Sequence, residues 1–300
     1  MKKIRKWQIT GWIAVGLSTA VLSFWAFWGT IENFHEGWYY PSIWMNLGLM
    51  LTQYLGPMLI FMSVTVVSII SPQVGGVLHW LLALLAIWFF QAFSNAATFL
   101  IILPLFGLGV LHWFGRPQPR RTTLLIVLGV PVLTLVLAGT RPALRVAQRV
   151  DDGNRGIRYV QGNGVALYWA PEDPGWPEVG GDWFDAQEAC RYLSEDGLTL
   201  APVPQEIWRV PTVDEAVRSM VRHGQNSRGE WDEETSTAAY ELTPDKESPL
   251  WDLHSQVIYW WTATEIDDGH AYIIAYDGKV WPRSKDLGPD NLGFRCVKEP

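Results

Sequence analysis

The chain has 300 residues, with 23 Lys and Arg against 30 Asp and Glu, a net charge of −7. That average conceals two unlike halves: residues 1–150 hold ten basic and two acidic side chains, a net +8, whereas residues 151–300 hold thirteen and twenty-eight, a net −15. An acidic second half without a basic stripe interleaved with aromatics argues against a nucleic-acid partner.

Five apolar stretches fill the first half: 9–28, 43–70, 76–93, 96–114 and 123–140, none containing Asp, Glu, Lys or Arg. Each has about the length that crosses a ~30 Å hydrocarbon core as a helix, so the expectation is a membrane domain over residues 1–145 with lipid as its partner. Stretches three and four are broken only at Ser94–Asn95, where a tight helical hairpin is expected, because one unbroken helix of that length would run about 60 Å at 1.5 Å per residue. The first stretch is too long and too rich in tryptophan (Trp12, Trp25, Trp28) for a cleaved leader, and no small-x-small site follows it.

Lysine and arginine set the orientation. Lys2, Lys3, Arg5 and Lys6 hold the N-terminus in the cytoplasm, and the three arginines of "RPQPRR" place the loop between stretches four and five on the same side. With five spans the acidic half lies outside the cytoplasm. Arg141, Arg145 and Arg149 then follow span five on the outer side, against the usual bias.

Polar residues in this half are few. His79 and His112 both occur as "LHW", at similar depth; a paired metal or haem site is one reading, and two interfacial histidines beside belt tryptophans is the favoured one. Glu32, His35 and Glu36 form E-x-x-H-E in the loop after span one. That spacing places two ligands on one helix face, but the remaining spans offer no further acid, and the adjoining Trp38, Tyr39 and Tyr40 favour an interfacial loop. Gln53, Tyr54 and Gln91 read as inter-helix hydrogen-bonding groups.

After a linker at 146–158, residues 159–300 read as α+β. "RGIRYVQGNGVALYWAPE" alternates about a turn at Gly162–Gly164, a hairpin signal. In "DWFDAQEACRYLSEDG", Asp182 is an N-cap, Ala186, Cys190 and Leu193 recur at helical spacing, and Gly197 closes the segment. In "PTVDEAVRSMVRHG", Thr212 and Glu215 form a capping box, and Gly224 is the expected residue just past the helix. Residues 225–255 read as a long irregular loop whose tryptophans are candidates for a binding surface. Three strand signals finish the chain: "VIYWWTATE", "AYIIAYDG" with "KVWP" after a turn at Asp277–Gly278, and "LGFRCVK".

Taken in order, "DWFDAQEACRYL", "WRVPTVDEA", "YWWTATE", "AYIIAYDGKVW" and "LGFRCVK" resemble the formylglycine-generating-enzyme-like superfamily of sulfatase-modifying factors, closest to the branch typified by the C-terminal domain of Lcl adhesins. The positions that carry the resemblance are Trp183, Ala186, Trp208, Arg209, Pro211, Thr212, Glu215, Trp261, Phe294 and Arg295, with the two cysteines. The resemblance implies a C-type-lectin-like fold and a disulfide between Cys190 and Cys296 joining the first helix to the last strand. Two cysteines in a domain outside the cytoplasm are also free to oxidise on compartment grounds.

The superfamily's enzymes use a cysteine pair for copper, or an iron held by three histidines including H-x-x-x-E. Here both cysteines fall at the structural positions, and residues 151–300 have no H-x-x-x-E, only His223, His254 and His270. A non-catalytic extracytoplasmic binding or sensory domain is therefore expected, with no cofactor and an unidentified ligand or protein as partner. The alternatives are a copper- or non-haem-iron-dependent oxygen-using modifying enzyme, and a function embedded in the helical half. Acidic loops at Glu265, Asp267 and Asp268 and at Asp286, Asp290 and Asn291 suit calcium in number of oxygens, although solvated loops are the favoured reading.

Overall fold

The computed structural model describes residues 6–90 and 101–300. The chain divides into two compact units, Met1–Gly37 with Ser42–Leu144, and Trp38–Pro41 with Arg145–Pro300. The turn expected at Ser94–Asn95, the adjoining ends of stretches three and four, and Gln91 lie outside the described residues.

Unit one is helical because long uncharged runs can satisfy their own backbone without water only as helices. Its elements are α1 (Lys6–Glu36), α2 (Ile43–Leu49), a π-helical turn at Met50–Tyr54, α3 (Gly56–Ile70), α4 (Pro72–Phe90) and α5 (Leu103–Phe114). Helix α6 (Arg120–Ala147) belongs to it as far as Leu144. Among the described residues α1, α4 and α6 are long and apolar enough to cross a membrane, and α2 with α3 makes a fourth crossing if that pair is one span. Helix α5 is apolar and shorter.

Two expectations are corrected here. Stretch 43–70 is not one straight helix: it bends by 62° at Leu55, where the π-helical turn releases the ordinary i to i−4 ladder. Glu32, His35 and Glu36 are not in a loop, since α1 runs on through Glu36. No Gly or Pro interrupts residues 30–36, so the helix outlasts its apolar stretch and stops only before Gly37. Helices α4 and α5 meet through glycine: a Cβ on Gly109 would lie 2.3 Å from Trp80 Nε1, and one on Gly76 would lie 2.9 Å from the Gly109 carbonyl oxygen. Such close approach is what small residues permit between membrane helices.

Unit two opens with β1 (Arg158–Gly162) and β2 (Val165–Trp169), paired antiparallel with Gly162 opposite Val165. The connecting Asn163 and Gly164 have φ of 53° and 84°, which a two-residue turn of this hand requires. β11 (Val297–Lys298) pairs antiparallel with β2, so the first and last strands of the unit share one sheet of order β1-β2-β11. The second sheet has order β10-β7-β8-β9, from β7 (Tyr259–Asp267), β8 (His270–Ala275), β9 (Val280–Ser284) and β10 (Leu292–Gly293).

Helix α7 (Trp183–Tyr192) is capped by Asp182, whose carboxylate accepts from the Asp185 N–H at 2.8 Å. Helix α8 (Val213–Ser219) carries the full Thr212/Glu215 capping box, and a cap of this kind contributes about 1 kcal/mol.

Consecutive tryptophans on β7 separate the interior into two clusters, because neighbouring strand residues face opposite sides of the sheet. Trp260 joins Trp169, Val217, Leu250, Trp251 and Ile274. Trp261 joins Cys190, Trp208, Ile273, Phe294 and Cys296. Each of these large side chains contributes about 1.5–3 kcal/mol on burial.

Three further expectations change. Gly224 does not end a helix. α8 stops at Ser219, and Gly224 (φ 73°) turns a short hairpin of β3 (Val221–Arg222) with β4 (Gln225–Asn226). The supposed loop 225–255 contains the hairpin of β5 (Glu230–Asp232) with β6 (Thr237–Ala239), and then the fully buried run Asp245–Glu247. Its Trp251 is core, stacked on Trp260 at 3.8 Å and 10°. "LGFRCVK" is two strands in two sheets. β10 pairs parallel with β7, and the chain then crosses to β2 as the Cys296 N–H donates to the Gly175 carbonyl at 2.8 Å.

Candidate functional site

The residues that carry the family resemblance converge on one structural neighbourhood. Cys190 and Cys296 form a disulfide with Cα atoms 5.5 Å apart and a sequence separation of 106, and both are fully buried. No other cysteine is present. Around them Ala186 and Phe294 are buried, and each tryptophan ring N–H has a backbone acceptor. Trp183 donates to Thr262, Trp208 to Ser194 and Trp261 to Gly181, each at 2.9 Å. The Pro211 carbonyl accepts from the Ala263 N–H at 2.8 Å.

Arg209 grips Glu215 through two bonds of 2.7 and 2.6 Å and reaches Glu299 at 2.7 Å. Burial alone would raise the Glu215 carboxyl, but the Arg209 guanidinium holds it below the usual range. Arg295 is fully buried and pairs with no carboxylate among the described residues. Its guanidinium donates to the carbonyls of Ala170 (2.8 Å), Pro249 (2.9 Å) and Leu250 (2.6 Å) and lies 3.7 Å over the Trp176 ring. Burial depresses its protonation. These groups close the fold, and each is occupied by another part of the same unit.

The acidic loops organise around a lysine. Lys285 Nζ, almost wholly buried, donates to Glu265 Oε2 at 2.5 Å and to the carbonyls of Asp267 (3.0 Å) and Asp268 (3.2 Å), beneath the Trp183 ring. The Asp267 carboxylate accepts from the Gly269 N–H and meets His270 Nδ1 at 2.9 Å. Asp290 and Asn291 use their carbonyls as acceptors from Gly180 and from Ile258 and Tyr259, while Asp286 is exposed beside Lys285. Of the side-chain oxygens considered for calcium, that of Glu265 is thus taken by the Lys285 ammonium and those of Asp267 by Gly269 and His270. Among the described residues no three His, Cys, Asp or Glu side chains assemble as a metal-binding group.

Sequence reasoning missed a buried charge network at 244–252. The Asp245 carboxylate, with no exposed surface, accepts from Arg145 at 2.7 Å, Arg149 at 3.0 Å and Arg222 at 2.5 Å. Burial would raise its pKa, but Arg149 and Arg145 hold it below the ordinary value. Glu247, equally buried, accepts the backbone N–H groups of Val150 (2.9 Å) and His223 (2.5 Å). Between them Lys246 is buried with its ammonium on the Ser255 carbonyl, and desolvation with the nearby Arg149 lowers it to about 7. Arg155 bridges Asp151 at 2.9 Å and Asp252, which ties down the segment that composition marks as a linker. The one signal available was the four-residue spacing of Arg145 and Arg149.

In unit one, His79 and His112, read from sequence as lying at similar depth, come together. Both are buried, with rings stacked at 4.9 Å and 24°. His79 Nδ1 donates to the Gly75 carbonyl at 2.9 Å, so Nδ1 carries the proton, and its buried Nε2 has no hydrogen-bond partner among the described residues. His112 Nε2 meets Ser18 Oγ at 3.0 Å. Glu32, His35 and Glu36 occupy the last turns of α1, away from this pair along the chain.

No protein-family model matches the chain, and neither a curated protein nor a solved structure matches it.

Proposed function

We propose that the chain is a membrane-anchored, extracytoplasmic ligand-binding or sensory protein of several spans, whose second unit is a non-catalytic, C-type-lectin-like domain of the formylglycine-generating-enzyme-like superfamily. The observation that carries this reading is the Cys190–Cys296 disulfide. It consumes both cysteines of the chain, it lies where the family resemblance requires, and such bonds persist in oxidising compartments. A cysteine held in that bond is not available as a copper ligand.

Arg145 and Arg149 stand against the positive-inside bias, but both are ion-paired to Asp245. The single negative charge of Asp245, shared with Arg222 as well, holds these two outer arginines against the second unit once it folds. The loop of Glu265, Asp267 and Asp268, held by Lys285, favours binding without a metal.

A second reading, a function within the helices, draws on the buried His79–His112 pair, since ionisable residues within membrane helices are costly to keep. Labelling intact cells tests the main reading. The chain has no free thiol, so Glu233→Cys, on an exposed turn, introduces the sole target. A membrane-impermeant maleimide is expected to label it in intact cells and to label Arg121→Cys only after lysis. Labelling with the opposite pattern overturns the orientation.

A further inference from the structure

The loop between α7 and α8 turns its apolar side chains outward although its backbone is fastened. Leu198, Leu200 and Val203 are 59, 53 and 58% exposed. Meanwhile Leu193, seven residues before Leu200, is fully buried and forms a β-bridge with it. The Ser194 and Thr199 backbones, the Tyr192 and Ala201 backbones, and the Arg191 and Gln205 backbones are bonded at 2.9, 2.7 and 2.9 Å. Asp196 caps the Leu198 N–H at 2.9 Å, and the Trp208 indole clamps the Ser194 carbonyl at 2.9 Å. Three large aliphatic groups held in water by a pinned loop form a preorganised contact surface, and preorganisation lowers the entropy lost on binding.

Two grooves flank this loop along the outer face of α7. One of about 320 Å³ is lined by Asp185, Glu188, Tyr192 and Leu200. The other, of about 470 Å³, shares Glu188 and Tyr192 and continues to Phe184, itself 50% exposed. Their two cations are already engaged, Arg191 with Glu206 at 2.7 Å and Arg209 with Glu215 and Glu299. Asp185 and Glu188 therefore have no ion-pair partner among the described residues. The acidic lining decides between a lipid surface and a protein: anionic headgroups would be repelled, whereas a cationic side chain next to an apolar anchor fits both features.

We infer that this face, from Phe184 across Glu188 to Leu200 and Val203, docks a segment of another protein that carries aliphatic or aromatic anchors flanked by Lys or Arg. The inference deepens the binding reading above and rests on it, naming a face and a class of partner for the domain.

Fluorescence anisotropy with the full chain in phosphatidylcholine nanodiscs tests it. The probe is a fluorescein-labelled Lys/Leu amphipathic peptide of about twelve residues, compared with its Glu/Leu counterpart and with empty nanodiscs. The Lys/Leu peptide is expected to bind above the empty-disc signal and the Glu/Leu peptide not to. Leu200→Asp with Val203→Asp, and separately Glu188→Lys, are expected to weaken binding about tenfold. Glu233→Lys with Glu234→Lys, on the exposed β5–β6 turn, is expected to leave it unchanged. Absence of binding, or an equal loss in that control, overturns the inference while leaving the thiol-labelling result untouched. An environment-sensitive label at Leu200→Cys that reports burial in lipid without any peptide also overturns it, because the loop would then dock on the membrane.

Discussion

The Asp245 carboxylate accepts from the Arg145 guanidinium at 2.7 Å with the acid fully buried and the arginine part exposed. Arg149 and Arg222 complete its coordination, so one buried negative charge answers three cations from two separate stretches of chain. Removing one member of a buried ion cluster costs about 3–5 kcal/mol, because it leaves the others unpaired. Asp245→Asn is expected to lose about that much in denaturant unfolding of the detergent-solubilised chain followed by tryptophan fluorescence. A loss below about 1 kcal/mol, the range of exposed pairs, would mean that the cluster is not what fastens this loop.

The same network has a pH signature. Lys246 is lowered from 10.5 to about 7 in the folded chain, so between those values the unfolded chain binds more protons and stability rises with pH. Asp245 works in the acid range: its folded value is below 3.8, so its contribution is complete above 3.8 and is lost as pH falls through the folded value. Unfolding midpoints from pH 4 to 10 should show the alkaline rise, and Lys246→Met should flatten it. A wild-type curve that is flat between pH 7 and 10 would contradict a Lys246 that burial lowers to about 7.

The disulfide closes a long loop, its cysteines having a sequence separation of 106. Chain-entropy arguments assign about 4–5 kcal/mol to such a closure. The Cys190→Ala and Cys296→Ala double variant should lose stability of that order in the same unfolding assay. Mild reductant alone should leave the native chain oxidised, since both sulfurs are fully buried.

Lys285 fills the centre of the loop of Glu265, Asp267 and Asp268, with Glu265 at 2.5 Å. Millimolar calcium is therefore expected to leave the thermal midpoint of the wild-type chain unchanged. Lys285→Met should lower the midpoint, because it leaves Glu265 and the Asp267 and Asp268 carbonyls without their donor. A calcium-dependent rise in the wild type would show that the ammonium does not hold the site.

What was legible in the sequence was mostly local. The Thr212/Glu215 box, the Asp182 cap and the Asn163–Gly164 turn each depend on residues within a few positions of one another. The disulfide was legible only through family resemblance. The break within "LGFRCVK" was hidden, because Arg295 and Cys296 are drawn to Ala170, Gly175 and Cys190, each more than a hundred residues away. "PDKESP" reads as a solvated loop for the same reason: Asp245 finds Arg145 and Arg149 about a hundred residues back. Helix α1 outran its apolar stretch because helices end where capping and backbone chemistry stop them, and polarity alone does not.

The most direct test of an extracytoplasmic, disulfide-closed domain is a thiol count in cells. Cells are quenched in acid, the protein is denatured, and free thiols are tagged with a polyethylene-glycol maleimide, with and without prior reduction. No tag is expected without reductant and two with it, matching the two cysteines of the chain. Two tags without reductant would place Cys190 and Cys296 in a reducing compartment and contradict the orientation and the binding role built on it.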